Sequence, residues 1–223
     1  TRYYVRAYAS NSIGLSYGNE QNFTTIATPV DSAVALYIGG KDSIYAFNAQ
    51  TGALKWKKFI AYDFIVSSAA YSSGRVFLAY KNKLFAFDTL GNTLWTATTN
   101  NANTNTYQSP IVSNGLVYIC NDNSRFIYAF NAATGSPAWT YDAREGTTPP
   151  TTTFGSANLA IAGNTLYISS LGFTYAINAA TGALRWKTLA GSFPVLPVIS
   201  NGKVYVMGNH FLFTLDSATG AIL

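Results

Sequence analysis

The sequence has 223 residues, of which 48% are hydrophobic and only 10% charged. That balance excludes a disordered chain, and no uninterrupted apolar run approaches the ~18 residues of a membrane helix. The net charge of +5 comes from Lys and Arg scattered along the chain, which fits solvated strand faces and not the basic stripe of a nucleic-acid binder.

In chain order, the first segment is "TRYYVRAYASNSIGLSYGNEQNFTT". Its "YYVRAYA" alternates like a strand, "NSIG" reads as a turn and "NEQNFTT" as a return strand. We take residues 1–27 as a unit separate from 28–223. From residue 28 the sequence repeats itself. An apolar strand comes first in each unit: "ALYIGG" (35–40), "RVFLAY" (75–80), "LVYIC" (116–120), "TLYISS" (165–170) and "KVYVMG" (203–208). A phrase follows each: "AFNAQTGALKW" (46–56), "AFDTLGNTLW" (86–95), "AFNAATGSPAW" (129–139), "AINAATGALRW" (176–186) and "TLDSATGAIL" (214–223). Short segments such as "SPIVSNG" and "LPVISNG" precede the later strands. Each unit therefore reads as four strands joined by turns, with no sustained helical period.

Elementary chemistry explains the phrase. Asn48, Asp88, Asn131, Asn178 and Asp216 can accept hydrogen bonds from backbone amides two residues on, which starts a turn. The glycines at 52, 91, 135, 182 and 220 then admit positive φ at no steric cost. Their spacings of 39, 44, 47 and 38 residues are those of propeller blades. Trp56, Trp95, Trp139 and Trp186 hold one position on the last strand of their units, where a large ring suits packing between units. The expected fold is all-β: a β-propeller of four-stranded antiparallel blades, with about five repeats visible.

The pattern Ala-x-Asp/Asn-x-x-Thr-Gly-x-x-x-Trp resembles the tryptophan-docking repeat of pyrroloquinoline-quinone-type (PQQ-like) β-propellers. The resemblance covers residues 28–223. It implies that the Trp of one blade packs on the neighbouring blade, so that Trp56, Trp95, Trp139, Trp186 and the glycines Gly52, Gly91, Gly135, Gly182 and Gly220 are inter-blade structural residues. Residues 1–27 resemble the C-terminal strands of a fibronectin type III domain, of which only a part is present. The resemblance implies rings of more than five blades, so the expectation is a piece of a larger ring whose last blade is truncated; the alternative is a complete five-bladed ring, which propeller geometry permits.

Among functional classes, quinone-dependent dehydrogenases of this fold are implied to use a metal beside the quinone, an Asp base and often an adjacent cysteine pair. This chain has one Cys and its seven Asp and two Glu lie singly, so no catalytic, cofactor-binding or metal residue is assigned and no cofactor is expected. Asp142 and Glu145 share a loop but lack the supporting groups of a carboxylate pair. "NDNSR" (121–125) lacks the Gly and the terminal Glu of a calcium loop. His210 is the single histidine, and Cys120 sits in an apolar run that suits a buried thiol. The expected function is a non-catalytic module for binding, adhesion or scaffolding, with a protein or glycan partner, no nucleic acid and no membrane insertion; the alternative is a quinoprotein-type dehydrogenase or a degenerate relative. Long Thr- and Asn-rich loops at 96–108 and 140–156 carry Tyr107, Tyr141 and Phe154, which we assign as a possible ligand rim. The resemblances place the parent protein at a bacterial cell surface or outside the cell, or in the periplasm. The N-terminal strand, over 22–26, is expected to pair with the last blade and stand in for its missing Trp strand.

Overall fold

In the computed structural model, residues 2–6, 8–24, 35–61, 67–99, 109–120, 126–143, 158–170, 172–190, 196–208 and 211–223 are described. They form strands and turns, with no helix among them. The N-terminal segment contributes β1 (Arg2–Val5), β2 (Tyr8–Asn11), β3 (Gly14–Tyr17) and β4 (Gln21–Thr24). β1 pairs with β4 and β2 with β3, both antiparallel. Over residues 22–24 the expected closure is not found: Asn22 lies opposite Tyr4 and Phe23 opposite Tyr3, so the described part of this strand uses its ladder within its own segment. A nested hairpin satisfies those amides locally, at a smaller loop-closure cost than a partner some 190 residues away in sequence. Residues 25 and 26 lie outside the described residues.

The repeats follow as five blades. The first has β5 (Ala35–Gly40), β6 (Ser43–Asn48) and β7 (Leu54–Phe59). The second has β8 (Ala70–Ser72), β9 (Arg75–Tyr80), β10 (Lys83–Asp88) and β11 (Thr93–Thr98). The third has β12 (Ile111–Ser113), β13 (Leu116–Cys120), β14 (Phe126–Asn131) and β15 (Pro137–Asp142). The fourth has β16 (Asn158–Ala162), β17 (Thr165–Ser170), β18 (Phe173–Asn178) and β19 (Leu184–Leu189). The last has β20 (Val198–Ser200), β21 (Lys203–Met207) and β22 (Leu212–Asp216), with a single bridge from Leu215 to Ile222 where the fourth strand would begin. Within each blade the strands are antiparallel and hydrogen-bonded in chain order. The short first strands lie side by side from blade to blade, β8 by β12, β12 by β16 and β16 by β20. The fold is that of a β-propeller.

Two-residue turns with positive φ join the first two strands of three blades: Ser73–Gly74, Asn114–Gly115 and Asn201–Gly202. Two consecutive left-handed residues twist with the strands they connect, which is why Asn-Gly and Ser-Gly stand there.

The core is divided. Four clusters lie between successive blades and none belongs to one blade alone. Ile44, Tyr37 and Trp56 meet Val76, Leu78 and Phe87 at the first joint. Phe77, Leu84 and Ala86 meet Val117, Ile119 and Tyr128 at the second. Tyr118, Ile127 and Tyr141 meet Leu166, Ile168 and Tyr175 at the third. Tyr167, Ala176 and Trp186 meet Val204, Val206 and Leu215 at the fourth. An inner blade is therefore apolar on both faces, and its central strands read as near-continuous hydrophobic runs instead of alternating.

Candidate functional site: the tryptophan seats between blades

The phrase builds a turn and a seat. In blade one, Asn48 Oδ1 accepts hydrogen bonds from the amides of Gln50 (2.9 Å) and Thr51 (3.0 Å). The Gly52 amide donates to the Asn48 carbonyl at 2.8 Å, and the Ala53 carbonyl accepts from the Asn48 amide at 2.8 Å. The Asn131 and Asn178 turns repeat these contacts, and Asp216 does so with its carboxylate. In the shortened copy, Asp88 Oδ1 accepts from Leu90 and Asn92 instead. Because the amides and hydroxyls around them stabilise the charged form, both carboxylates sit below their ordinary pKa. Asn92 is the largest cause for Asp88, and the Thr219 amide for Asp216.

The last strand aims the ring. In each of the four complete phrases the register shifts by one residue just before the Trp pair: Ala46 faces Trp56 but Phe47 faces Leu54. The same bulge precedes Trp95, Trp139 and Trp186. One extra residue on the outer strand rotates it locally and re-aims the side chain that follows. The small Ala opposite each Trp leaves room for the indole to lie across the joint. A ring of the blade's own second strand then packs against it: Tyr37 on Trp56, Phe77 on Trp95, Tyr118 on Trp139 and Tyr167 on Trp186, with centroids 5.8–6.0 Å apart. Such tilted pairs contribute about 1 kcal/mol beyond their buried area.

Each indole lands on the next blade's turn. Trp56 Nε1 donates to the Thr89 carbonyl (2.9 Å), Trp95 to Ala132 (3.2 Å), Trp139 to Ala179 (2.9 Å) and Trp186 to Ser217 (3.1 Å). All four acceptors are the residue after the turn-starting Asn or Asp. Beneath each ring is the turn glycine. A Cβ on Gly91, Gly135, Gly182 or Gly220 would come within 2.6–2.9 Å of the indole carbons, and all four have φ between +75° and +87°. Close approach and left-handed backbone both demand glycine here. At the third and fourth joints the carbonyl accepts a second donor, from the Tyr118 hydroxyl (3.1 Å, to Ala179) and the Tyr167 hydroxyl (3.2 Å, to Ser217).

The rim assignment does not survive for Tyr141. It is 3% exposed on β15, with its ring edge-on to Tyr175 of the next blade. Its alternate position on the strand turns it into the third joint, where loop composition alone had placed it outside. Tyr107 and Phe154 lie outside the described residues, as do Glu145, His210 and residues 121–125. Cys120, the single cysteine of the sequence, is fully buried in the same joint as Tyr141. Among the described residues no three His, Cys, Asp or Glu side chains are grouped as for a metal ion. Burial pushes the Tyr175 hydroxyl up to about 12 and raises Tyr118. Lys187, whose Nζ lies 4.2 Å above the Phe173 ring and 5.2 Å from that of Tyr175, is lowered by desolvation.

Sequence reasoning missed the paired ring and its hydroxyl. The signal was there: an aromatic residue stands at one position in every pre-phrase strand, at Tyr37, Phe77, Tyr118, Tyr167 and Tyr205.

Repeated blades joined by an indole on a neighbour's glycine turn define the chain as a PQQ-like β-propeller. A family model described as "Outer membrane protein assembly factor BamB" matches residues 40–190, and the chain belongs to that family. No curated protein sequence matches it. Among solved structures, BamB from Moraxella catarrhalis is similar over 85% of this chain, with a TM-score of 0.67 and 20% identity. The quinohemoprotein alcohol dehydrogenase ADHIIG from Pseudomonas putida HK5 gives 0.68 and 21%, and that of Comamonas testosteroni 0.71 and 16%, each over 85% of this chain. The chain spans 56%, 40% and 41% of those three proteins. At these identities the likeness is one of fold.

Proposed function

We propose that the chain is a non-catalytic propeller module of a bacterial envelope protein, acting by binding or scaffolding other proteins. One observation carries this reading: the residues the sequence repeats most faithfully serve the joints. The four tryptophans and the turns of the four later blades, with their glycines, hold blades together. Membership of a family described as an outer membrane protein assembly factor supports a protein partner over a glycan, and a place in the periplasm or at the cell surface. No helix among the described residues is long and apolar enough to cross a membrane. We further propose that residues 1–27 are terminal strands of a fibronectin type III-like domain, which the β1–β4 and β2–β3 ladders suit.

The test has two arms. The purified chain is mixed with pyrroloquinoline quinone, calcium and simple alcohols, and dye reduction is followed; no turnover is expected. The immobilised chain is then probed with an outer-membrane β-barrel protein held unfolded in urea and with a glycan array. Saturable binding of the protein, with a blank array, is the expected result. Quinone-dependent turnover would make the chain a dehydrogenase relative instead, and binding confined to glycans would replace the protein partner.

A further inference from the structure

The outer strands β7, β11, β15 and β19 each end their sheet, and no strand of the described residues pairs with their far edge. Three of these edges carry the residues that keep extended chains from adding to them. β7 has Lys55, Lys57 and Lys58, β15 has Pro137 and Asp142, and β19 has Arg185 and Lys187. Charges and proline are the usual defences of an exposed sheet edge. β11 has neither: Thr93–Thr98 reads TLWTAT. Where blades one and four place Lys57 and Lys187 directly after the Trp, blade two places Thr96.

The ladder shows which backbone groups this edge offers. The Thr99 amide donates inward to the Asn82 carbonyl at 2.8 Å. Hydrogen-bonded pairs alternate along an antiparallel ladder, so Ala97 with Leu84 and Trp95 with Ala86 exchange the inward bonds. The amides and carbonyls of Thr96 and Thr98 therefore point outward, and both residues are exposed. Beside this edge is a pocket of about 50 Å³. Thr98 forms one wall, and Tyr128, Phe130, Pro137, Trp139 and Thr140 of blade three form the rest. It lies on the face of β11 from which Trp95 reaches Ala132 of blade three. A strand added along β11 would direct every second side chain to that face.

We propose that the outer edge of β11 is a docking site for an extended, uncharged segment of a partner protein, which adds to blade two as a fifth strand and sets one small aliphatic side chain in the pocket against blade three. Main-chain bonds to Thr96 and Thr98 hold the segment, and the pocket selects its side chain. The edges of the other three blades turn such a segment away. A second copy of this chain is a poor match. Paired edge to edge, its own β11 would bring Trp95 and Ala97 to the pocket side, and that indole is already seated on Ala132. The inference rests on the protein-binding role proposed above and states what the partner must present.

The probe is a blocked peptide of alternating Thr and Val, GTVTVTVTG, and its counterpart with two prolines at the centre, GTVPPTVTG. Each is titrated into the whole ¹⁵N-labelled chain, and backbone amide shifts are read. The alternating peptide should shift the amides of Thr96 and Thr98 saturably, with a Kd on the order of 1 mM, and leave those of Lys57 and Lys187 in place; the proline peptide should do neither. Thr96→Pro removes one outward donor and no inward bond, so an edge strand tolerates it. It should weaken binding at least about tenfold with Tm unchanged to within about 2 °C; if Tm falls further, Thr98→Pro at the end of the strand takes its place. No saturable shift, equal shifts with both peptides, or undiminished binding in the proline variant would each overturn the proposal. So would a dimer in sedimentation velocity that Thr96→Pro abolishes, since the edge would then belong to a second copy. The same variant is compared with the parent on the urea-unfolded β-barrel protein. Equal binding there overturns the edge site while protein binding stands. Peptide shifts at Thr96 and Thr98 without any binding of the unfolded protein uphold the edge site and overturn the reading it rests on.

Discussion

A single indole and a single missing methyl form each joint, so the two can be tested against one another. Trp139→Ala removes a large ring from the third joint and should cost about 3–5 kcal/mol. Gly182→Asn attacks the same joint from the other side, because its Cβ would fall within 2.7 Å of the Trp139 ring; the cost should be about 2 kcal/mol or more. In the double variant the second change should be nearly free, since its clash has gone. A urea-unfolding cycle measures this, and additive losses would show that ring and glycine do not act together. Tyr175 offers a pH readout at the same joint. Its hydroxyl titrates at about 12 in the folded chain, above the ordinary value of about 10. A raised pKa means that folding favours the neutral phenol. The stability it provides is complete below about pH 10 and is lost as pH rises towards 12. Tyr175→Phe should flatten that alkaline fall in Tm, and an unchanged alkaline profile would assign the loss to other groups.

The turn is the element that varies most in charge and least in shape. Three of its five copies start with Asn and two with Asp, and only the latter can respond to acid. Asp88 and Asp216 are held below the usual carboxylate range by the hydrogen bonds they accept. A depressed pKa contributes stability that is present above the unfolded value of about 4 and is lost as pH falls through the folded one. Asp216→Asn keeps an acceptor for Ala218 and Thr219, so neutral stability should change little while the drop in Tm below about pH 4 becomes shallower. A steeper drop would mean that the carboxylate is not the acid-sensitive group. These turns were legible in the sequence because their chemistry is local: Asn or Asp, Thr and Gly within five residues determine the loop. The strands and their order followed from the repeat. The bulge before each Trp was not legible, because Leu54-Lys55-Trp56 reads as plain alternation until its cross-strand partners are known. Tyr141 was misplaced for a related reason. Its neighbours in sequence are loop-like, but its partner, Tyr175, lies on another blade. The pairing of residues 22–24 with β1 was missed because an unpaired edge on the last blade looked like the stronger attraction, whereas the nearer strand in sequence took those amides.

At the scale of the whole chain, each blade relies on its neighbours and on little else, so stability is a sum over joints. Inner blades have two joints and the end blades one. Amides of β9, β13 and β17 should therefore exchange with deuterium more slowly than those of β5 and β21. Uniform protection across all five blades would point to a single cooperative unit. The repeated seat has a second consequence. Trp56, Trp95, Trp139 and Trp186 meet the same carbonyl position and the same glycine, so nothing in the donor or the acceptor tells one joint from another. Order is kept by the covalent links between successive blades. During refolding, an indole that reaches the wrong turn, in its own chain or in another molecule, makes contacts as good as the native ones. Such interchangeable pairings are kinetic traps whose intermolecular part grows with concentration. The yield of native chain on dilution from urea should accordingly fall as protein concentration rises, even though the final joints are stable once made.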